Sequence, residues 1–230
     1  TIVVFGSTRI VEPAAALRKV EKLRAHLATQ PGDGELAARL AAAERILAKS
    51  HFYETAREFS RLVATSGRGP DDCRLVVMTG GGPGMMEAAN RGARDVNART
   101  VGLNIHLPHE QFPNPYISPE LCFQFHYFAL RKIHFMLRAR ALVAFPGGYG
   151  TFDELFETLT LIQTRKIKPV PVILVGEAFW RKAFDVDFLV DEGVIDPEDR
   201  DLFWYAETAE EAWQGLLLWY ERKGESLIEE

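Results

Sequence analysis

Short apolar runs alternate with helix-length segments along this chain, and that alternation constrains the fold more than any other feature. The runs are IVVF (2–5), RLVVMT (74–79), TVGLNI (100–105), ALVAF (141–145) and VPVILVG (170–176). A βαβα order predicts a parallel sheet covered by helices on both faces. The runs are rich in Val, Ile and Leu and lack polar alternation, as strands buried on both sides require. A further stretch, LCFQFHYF (121–128), does alternate, with Leu121, Phe123, Phe125 and Tyr127 on one face. It reads either as an extra short strand or as an extended lead-in to the next helix.

The first crossover is too long for an ordinary unit. From Glu12 to Gln30 and from Glu35 to Ser50 the chain reads as two charged amphipathic helices joined by PGDG. Leu17, Val20, Leu23 and Leu27 of the first face Leu36, Leu40, Ala43 and Leu47 of the second. A third helix, Tyr53 to Ala64, returns to the sheet. The hairpin's Ala, Leu, Arg and Glu character reads as a structural insertion or an oligomer contact, with no chemistry assigned to it. Past Trp180 an aromatic-rich tail reads as closing helices, with a short strand within DPEDRDLFWYAET before a helix from Ala209 to Arg222. The expected fold class is α/β: a Rossmann-like doubly wound parallel sheet with helices on both faces, in a single domain (1–230) that carries the helical hairpin (12–50) as an insertion.

With 230 residues, 47% hydrophobic and 26% charged, the chain can bury one sizeable core. Its formal net charge is −5, and acidic and basic residues are interspersed, so no broad positive face is available to a phosphate backbone. Nucleic acid is therefore not an expected partner. Cys73 and Cys122 lack CxxC spacing and a histidine cluster, which argues against disulfides or a structural metal and for a reducing, cytoplasmic setting. No apolar stretch reaches the roughly 18–20 residues that span a bilayer, and the chain opens on TIVVF without a signal peptide, so no membrane association is expected. Because Thr1 already lies inside an element, further residues are expected to precede it in the natural chain.

Two glycine-rich turns stand out. The first, within MTGGGPGMMEAANRGA (78–93), joins a strand to a helix whose Met85, Ala88, Ala89, Gly92 and Ala93 form a flat face suited to close packing on the sheet. Glycines there let the backbone approach a ligand, while the helix N-terminus supplies N–H donors and partial positive charge. Gly81 and Gly82 are thus candidate nucleotide contacts. Glu87, in the first helical turn, is a candidate for a ribose hydroxyl or else a simple partner of the helix dipole. A dinucleotide fingerprint is not met: GxGxxG fails at Glu87, and Asn104 stands where an acid for the ribose is expected. NAD is disfavoured, and no cofactor is expected.

The second turn lies in AFPGGYGTFDEL (144–155). Helical spacing from Thr151 to Gln163 puts Phe152, Leu155, Phe156, Leu159 and Ile162 on the buried side and leaves Asp153, Glu154, Glu157 and Thr158 pointing elsewhere. Capping by Thr151, with first-turn acids worth about 0.3–1 kcal/mol each, accounts for a hydroxyl and an acid. It does not account for PGGYG, because glycines without a special backbone need cost roughly 0.5–1 kcal/mol apiece. Close contact with a phosphate does. Between the two turns, FALRKIHFMLRAR (128–140) reads as an amphipathic helix with Arg131, His134 and Arg138 on one stripe and Phe128, Ile133, Met136 and Leu137 largely on the other. Its start comes near the same sheet edge, where Arg131 and Lys132 can meet a phosphate or a carboxylate. His126 and His134 have no partner at metal-ligand spacing, since His106 and His109 belong to a separate loop, and they read as structural.

GGGPGMMEAAN, RKIHFM and PGGYGTFDE together resemble the LONELY GUY family, whose members are often labelled possible lysine decarboxylases, and Pro146 to Glu154 matches the PGGxGTxxE signature in full. FGST, GLNIHLPHEQFPNPYI and ETLTLIQTRKIKPVPVILVG are similar to the family as well, so the resemblance covers nearly all of the chain from Tyr53 onward. The hairpin departs from the short plant-type members and looks like the longer bacterial branch. The resemblance implies a phosphoribohydrolase of the cytokinin-activating type, acting on nucleoside 5′-monophosphates (AMP or N6-substituted AMP) to give free base and ribose 5-phosphate. It implies phosphate binding by Gly147, Gly148, Gly150 and Thr151, and catalysis by Arg131 and Glu154, with Lys132 completing an RKxxxM match at Met136. A homo-oligomer, dimer or higher, is expected.

The chemistry is compatible. Cleaving the N-glycosidic bond develops positive charge on the ribose ring and negative charge on the leaving base. A carboxylate beside the sugar can hold its hydroxyls, stabilise the cationic ring and steer water, while a cation positions the other end. Two rivals fit less well. A pyridoxal-dependent lysine decarboxylase has nothing beyond Lys132 to hold its cofactor. A non-catalytic nucleotide or cofactor carrier has no need of both Arg131 and Glu154.

Overall fold

In chain order the strands are β1 (Ile2–Phe5), β2 (Val77–Thr79), β3 (Thr100–Ile105), β4 (Cys122–Phe125), β5 (Ala141–Ala144), β6 (Val172–Val175) and β7 (Trp204–Ala206). In the computed structural model, which describes residues 1–67, 69, 72–106 and 112–228, they form one sheet ordered β4-β3-β2-β1-β5-β6-β7 with every pairing parallel. The chain fills one side of β1 with β2 to β4, then returns to its other side with β5 to β7. That reversal opens a crevice between the loops that follow β1 and β5, the place where such sheets bind ligands.

Nine helices lie among the described residues: α1 (Pro13–Thr29), α2 (Gly34–Leu47), α3 (His51–Thr65), α4 (Met85–Asp95), α5 (Phe128–Leu137), α6 (Tyr149–Gln163), α7 (Glu177–Ala183), α8 (Val186–Asp191) and α9 (Ala209–Lys223). None is long and apolar enough to cross a membrane. Successive strand residues feed two separate cores. Ile2, Val4, Val143 and Ile173 pack with Phe59, Met85, Ala89 and Leu216 of α3, α4 and α9. Val3, Phe5, Leu142 and Leu174 pack with Phe135, Leu155 and Trp180 of α5, α6 and α7. Side chains alternate sides along a strand, so two apolar faces give an unbroken apolar run.

The small-residue face of α4 is buried as expected, with one change of purpose. A Cβ on Gly92 would sit 2.0 Å from the Arg57 carbonyl oxygen, so this glycine admits α3 rather than the sheet. LCFQFHYF resolves into the edge strand β4, paired with β3, and Tyr127 becomes the residue that opens α5. Leu121 and Phe125 pack on the core, whereas Phe123 and Tyr127 are exposed, because the alternation ends at an uncovered edge. Residues 107–111, including His109, lie outside the described residues.

The hairpin has its own small core of Val20, Leu23, Leu36 and Ala43, flanked by Leu27, Leu40 and Leu47. Pro13 opens α1, and the Asp33 side chain caps α2 by accepting from the Leu36 amide at 2.9 Å. Leu17, expected in the seam, is 46% exposed, and Ala16 is buried in its stead. One residue is a 100° rotation on a helix, which suffices to move a side chain off the contact line.

Candidate active site

From β5 the chain passes through Phe145, Pro146 and Gly147 to Gly148, which precedes the first helical residue of α6, Tyr149. The helix starts two residues earlier than the spacing from Thr151 predicts. Thr151 is therefore not its cap, and no side chain caps this end. The Thr151 and Phe152 amides close onto the Gly148 carbonyl at 2.9 and 3.1 Å, which leaves the Tyr149 and Gly150 amides available at the positive end of the helix dipole. Ser7 donates its amide to the Pro146 carbonyl at 3.0 Å and ties the loop after β1 to this turn.

The glycines of the turn are not alike. A Cβ on Gly147 would lie 2.1 Å from the Thr151 hydroxyl, so Thr151 excludes a side chain there. At Gly148 and Gly150 a Cβ would meet nothing within 4 Å, and neither residue has a positive φ. Nothing in the described chain requires glycine at those two positions, and both border a cleft.

Arg131 and Glu154 meet in that cleft by routes the sequence misplaced. Glu154 is 5% exposed, and Thr151 and Thr158, about a turn to either side, are buried with it. Two side chains of α5 meet this face: Arg131 lies against Glu154, and Met136 Sδ stands 3.4 Å from the Thr158 hydroxyl. The Thr158 hydroxyl donates to the Glu154 carbonyl at 2.8 Å, which satisfies it locally. Arg131, expected on one stripe with His134 and Arg138, has a side chain only 12% exposed and lies over the rings of Phe128 and Phe135 at 5.1 and 5.5 Å. The apolar stripe of α5 faces outward in its place, with Phe128 50%, Ile133 53% and Leu137 70% exposed. Phe135 anchors the helix by packing edge-on to Phe5 at 4.8 Å.

Arg131 Nη2 stands 3.7 Å from Glu154 Oε1, near enough for attraction and too far for a hydrogen bond. Arg131 Nε and Glu154 Oε1 are buried without a hydrogen-bond partner among the described residues. Each such group costs about 1–3 kcal/mol unless something supplies its partner. Burial pushes the Glu154 carboxyl up to about 7, against the pull of Arg131 and Lys132. Burial likewise lowers the Arg131 guanidinium, against the pull of Glu154 and Asp153. A carboxyl poised near neutrality beside a cation is the arrangement that acid/base chemistry needs.

The cleft has a volume of about 1230 Å³ and is bounded by the loop from Gly6 to Val11, the turn from Pro146 to Thr151, Arg131, Glu154 and the inner side of the hairpin. It brings together Arg131, Glu154, Gly147, Gly148, Gly150 and Thr151. Gly81, Gly82, Glu87 and Lys132 do not border it. Gly81 has φ +72, and a Cβ there would lie 2.3 Å from Asn104 Oδ1. Its carbonyl accepts from the Asn114 amide at 2.8 Å, and that of Gly82 from Asn114 Nδ2 at 3.1 Å. Glu87 is turned to α3, where it accepts from the Tyr53 hydroxyl at 2.9 Å. Lys132 Nζ pairs with Asp153 at 2.7 Å and Glu157 at 3.2 Å, beside a separate hollow of about 500 Å³. Burial pulls its pKa down, but the hydrogen bonds it donates to those carboxylates prevail and raise it. Asp153, expected to serve the helix dipole, serves Lys132.

Sequence reasoning missed Asn90. It is fully buried, with Oδ1 accepting from Thr79 Oγ1 at 2.7 Å and from Asn114 Nδ2 at 2.9 Å, while its Nδ2 donates to Thr100 Oγ1 at 2.7 Å. The available signal was a polar residue within the small, buried face of α4. Among the described residues, no group of three His, Cys, Asp or Glu is placed to hold a metal ion.

The family described as "Possible lysine decarboxylase" matches residues 86–216. The chain is 29% identical over 139 residues to a cytokinin riboside 5′-monophosphate phosphoribohydrolase of Arabidopsis thaliana, covering 59% of this chain and 63% of that protein. It is 31% identical over 137 residues to a probable enzyme of the same name from Oryza sativa subsp. japonica, covering 58% and 54%. The match thus spans less than two thirds of the length of these curated relatives. Among solved structures, the Moco carrier protein of Chlamydomonas reinhardtii aligns with a TM-score of 0.52 at 21% identity, over 75% of this chain and 89% of that one. The structural-genomics target TM1055 aligns with a TM-score of 0.55 at 26% identity, over 74% and 89%. The region shared with the family takes in α5, the glycine turn after β5 and the Arg131–Glu154 pair, and on that match the chain belongs to the possible lysine decarboxylase family, the one its motifs resemble as LONELY GUY.

Proposed function

We propose that this cleft hydrolyses the N-glycosidic bond of a nucleoside 5′-monophosphate, AMP or an N6-substituted AMP, giving free base and ribose 5-phosphate. The observation that carries the reading is the buried, unpartnered Oε1 of Glu154 beside Arg131, in the same cleft as a helix N-terminus with unspent amides. At 1.5 Å rise per residue Glu154 stands about 6 Å along α6 from Gly150, close to the span of a ribose 5-phosphate. The 5′-phosphate takes the Tyr149 and Gly150 amides and the Thr151 hydroxyl, and the missing side chains of Gly148 and Gly150 leave it room. Its binding energy then orients the reacting carbon. Glu154 accepts from a ribose hydroxyl, offsets the positive charge that grows on the ring, and takes a proton from the attacking water. Arg131 holds that carboxylate in place and directs its free Nε toward substrate acceptors. The plant relatives are named for this reaction, which supports it.

The same reading places the protein in the cytoplasm, where mononucleotides are available, as a homo-oligomer in which a second copy covers the outward apolar face of α5. Lysine decarboxylation needs an amine free to condense with a cofactor aldehyde, and the ion-paired Lys132 does not offer one. The test is a release assay on AMP, other nucleoside monophosphates, N6-isopentenyl-AMP and adenosine. Base release from monophosphates and little from the nucleoside is expected. No release from any monophosphate at high protein concentration overturns the proposal and leaves a carrier that binds without cleaving.

A further inference from the structure

The hairpin contributes more than a wall to the cleft. Lys19 of α1, Arg39 and Arg45 of α2, and Lys49 just beyond it all border the cavity, as does Arg9 from the loop after β1. The segment from 12 to 50 also carries Glu12, Glu21, Asp33, Glu35 and Glu44, and none of these borders it. Glu12 is held by Arg91 at 2.9 Å, Glu44 by Arg24 at 2.7 Å, and Asp33 caps α2. In a chain of net charge −5, the hairpin has sorted its charges so that only cations reach the cleft.

Arg9, Lys19, Arg39, Arg45 and Lys49 form no ion pair with any described residue. Arg9, Lys19, Arg39 and Arg45 are exposed and Lys49 is half-buried, and like charges gathered along one side of a cleft repel one another and raise a positive potential within it. Glu154 is the one carboxylate bordering the cleft among the described residues, and Arg131 already faces it. The glycine turn accounts for one phosphate and leaves this wall without a counterion. The cavity, at about 1230 Å³, is also larger than the roughly 300–1,000 Å³ of ordinary small-ligand pockets.

We propose that the hairpin wall is a second phosphate site, so that the cleft prefers nucleotides bearing a phosphate in addition to the one on the glycine turn. This rests on the reading that the turn takes a 5′-phosphate. Lys19, Arg39, Arg45 and Lys49 supply charge-assisted donors to the second group.

The experiment measures affinities for AMP, ADP, adenosine 3′,5′-bisphosphate and inorganic tripolyphosphate by calorimetry, with Glu154→Gln protein so that AMP stays intact. At about 0.01 M salt, where surface charges are weakly screened, a second phosphate is expected to tighten binding about tenfold or more over AMP, and most of that gain to vanish near 1 M. The ADP and bisphosphate arms tell whether the second group sits beside the first or across the ribose. Changing Lys19, Arg39, Arg45 and Lys49 together to Gln keeps helix-forming residues on a solvent-facing wall, and circular dichroism verifies the fold. In that variant the ratio between ADP and AMP affinities is expected to fall within about twofold of unity at low salt. A ratio near one for both ligands in the unaltered wall, or a gain that survives the four changes, overturns the proposal. Tripolyphosphate binding that is lost in the variant, with no base release from AMP by protein that keeps Glu154, upholds the wall and overturns the hydrolase. Base release without any gain from a second phosphate does the reverse.

Discussion

After β2 the chain runs Thr79-Gly80-Gly81-Gly82-Pro83-Gly84 into α4, and after β5 it runs Phe145-Pro146-Gly147-Gly148-Tyr149-Gly150 into α6. In the first turn the Gly81 amide donates to Thr79 Oγ1 at 2.9 Å, and the Gly81 and Gly82 carbonyls are taken by Asn114. The Met85 amide at the start of α4 donates to the Ser7 carbonyl at 3.0 Å, and a Cβ on Gly84 would strike that oxygen at 2.4 Å. The protein's own backbone occupies the place a ligand would take. In the second turn, space stays open at Gly148 and Gly150, and amides remain unspent. Glycine at a strand-to-helix turn signals close approach of something, and the approaching group is the chain itself in one case and, in the proposed function, a phosphate in the other.

Four substitutions test that contrast. The largest effect is expected from Glu154→Gln, which should lower base release from AMP by about 10²-fold or more while AMP still binds in equilibrium dialysis. An unchanged rate removes Glu154 from the mechanism. At the closed turn, Asn90→Ala strips partners from Thr79, Thr100 and Asn114 at once. A loss of roughly 2–4 kcal/mol in urea unfolding is expected, and a loss under about 1 kcal/mol means the network is slack.

Alanine scanning of the two turns compares them directly. Gly81→Ala forces a side chain into φ +72 and against Asn104, with an expected loss of roughly 1–3 kcal/mol. Gly148→Ala sits at φ −105 in open space, so stability should hold or rise by up to about 1 kcal/mol. Its KM for AMP should rise about tenfold as the methyl meets the phosphate. Equal stability losses at the two positions erase the distinction between a closed and an open turn.

The smallest effect concerns pH. The Glu154 carboxyl is raised from 4.5 to about 7, so between those values the folded chain keeps a proton that the unfolded chain has released. Stability contributed by this group therefore falls as pH rises through that window and stays low above it. Glu154→Gln should raise Tm by roughly 2–4 °C per kcal/mol recovered at pH 8, with no gain at pH 4. Equal Tm changes at both pH values mean the carboxyl is not perturbed by burial.

Much of this protein was legible in its residues. IVVF, TVGLNI and ALVAF announced strands buried on both faces, and the sheet is parallel and doubly wound around β1. PGGYG announced a glycine turn between β5 and α6, and Gly148 and Gly150 of that turn border the cleft, whereas Glu154 was singled out by the family resemblance and spacing set it off the buried side where it lies. The seam of the hairpin was legible but for a single residue at Leu17. What sequence spacing could not decide was which way a helix turns its faces once it has neighbours. Arg131 went inside and Ile133 and Leu137 outside, where the charge of Glu154 and the faces of two aromatic rings attract the guanidinium. Glu87 went to Tyr53, Lys132 to Asp153 and Glu157, and the cations of the hairpin to the cleft, for the same kind of reason. Periodicity reports the character of each face of an element, a local property of the chain. Which face is buried depends on the charge and shape of segments tens of residues away, and those meet only when the sheet assembles.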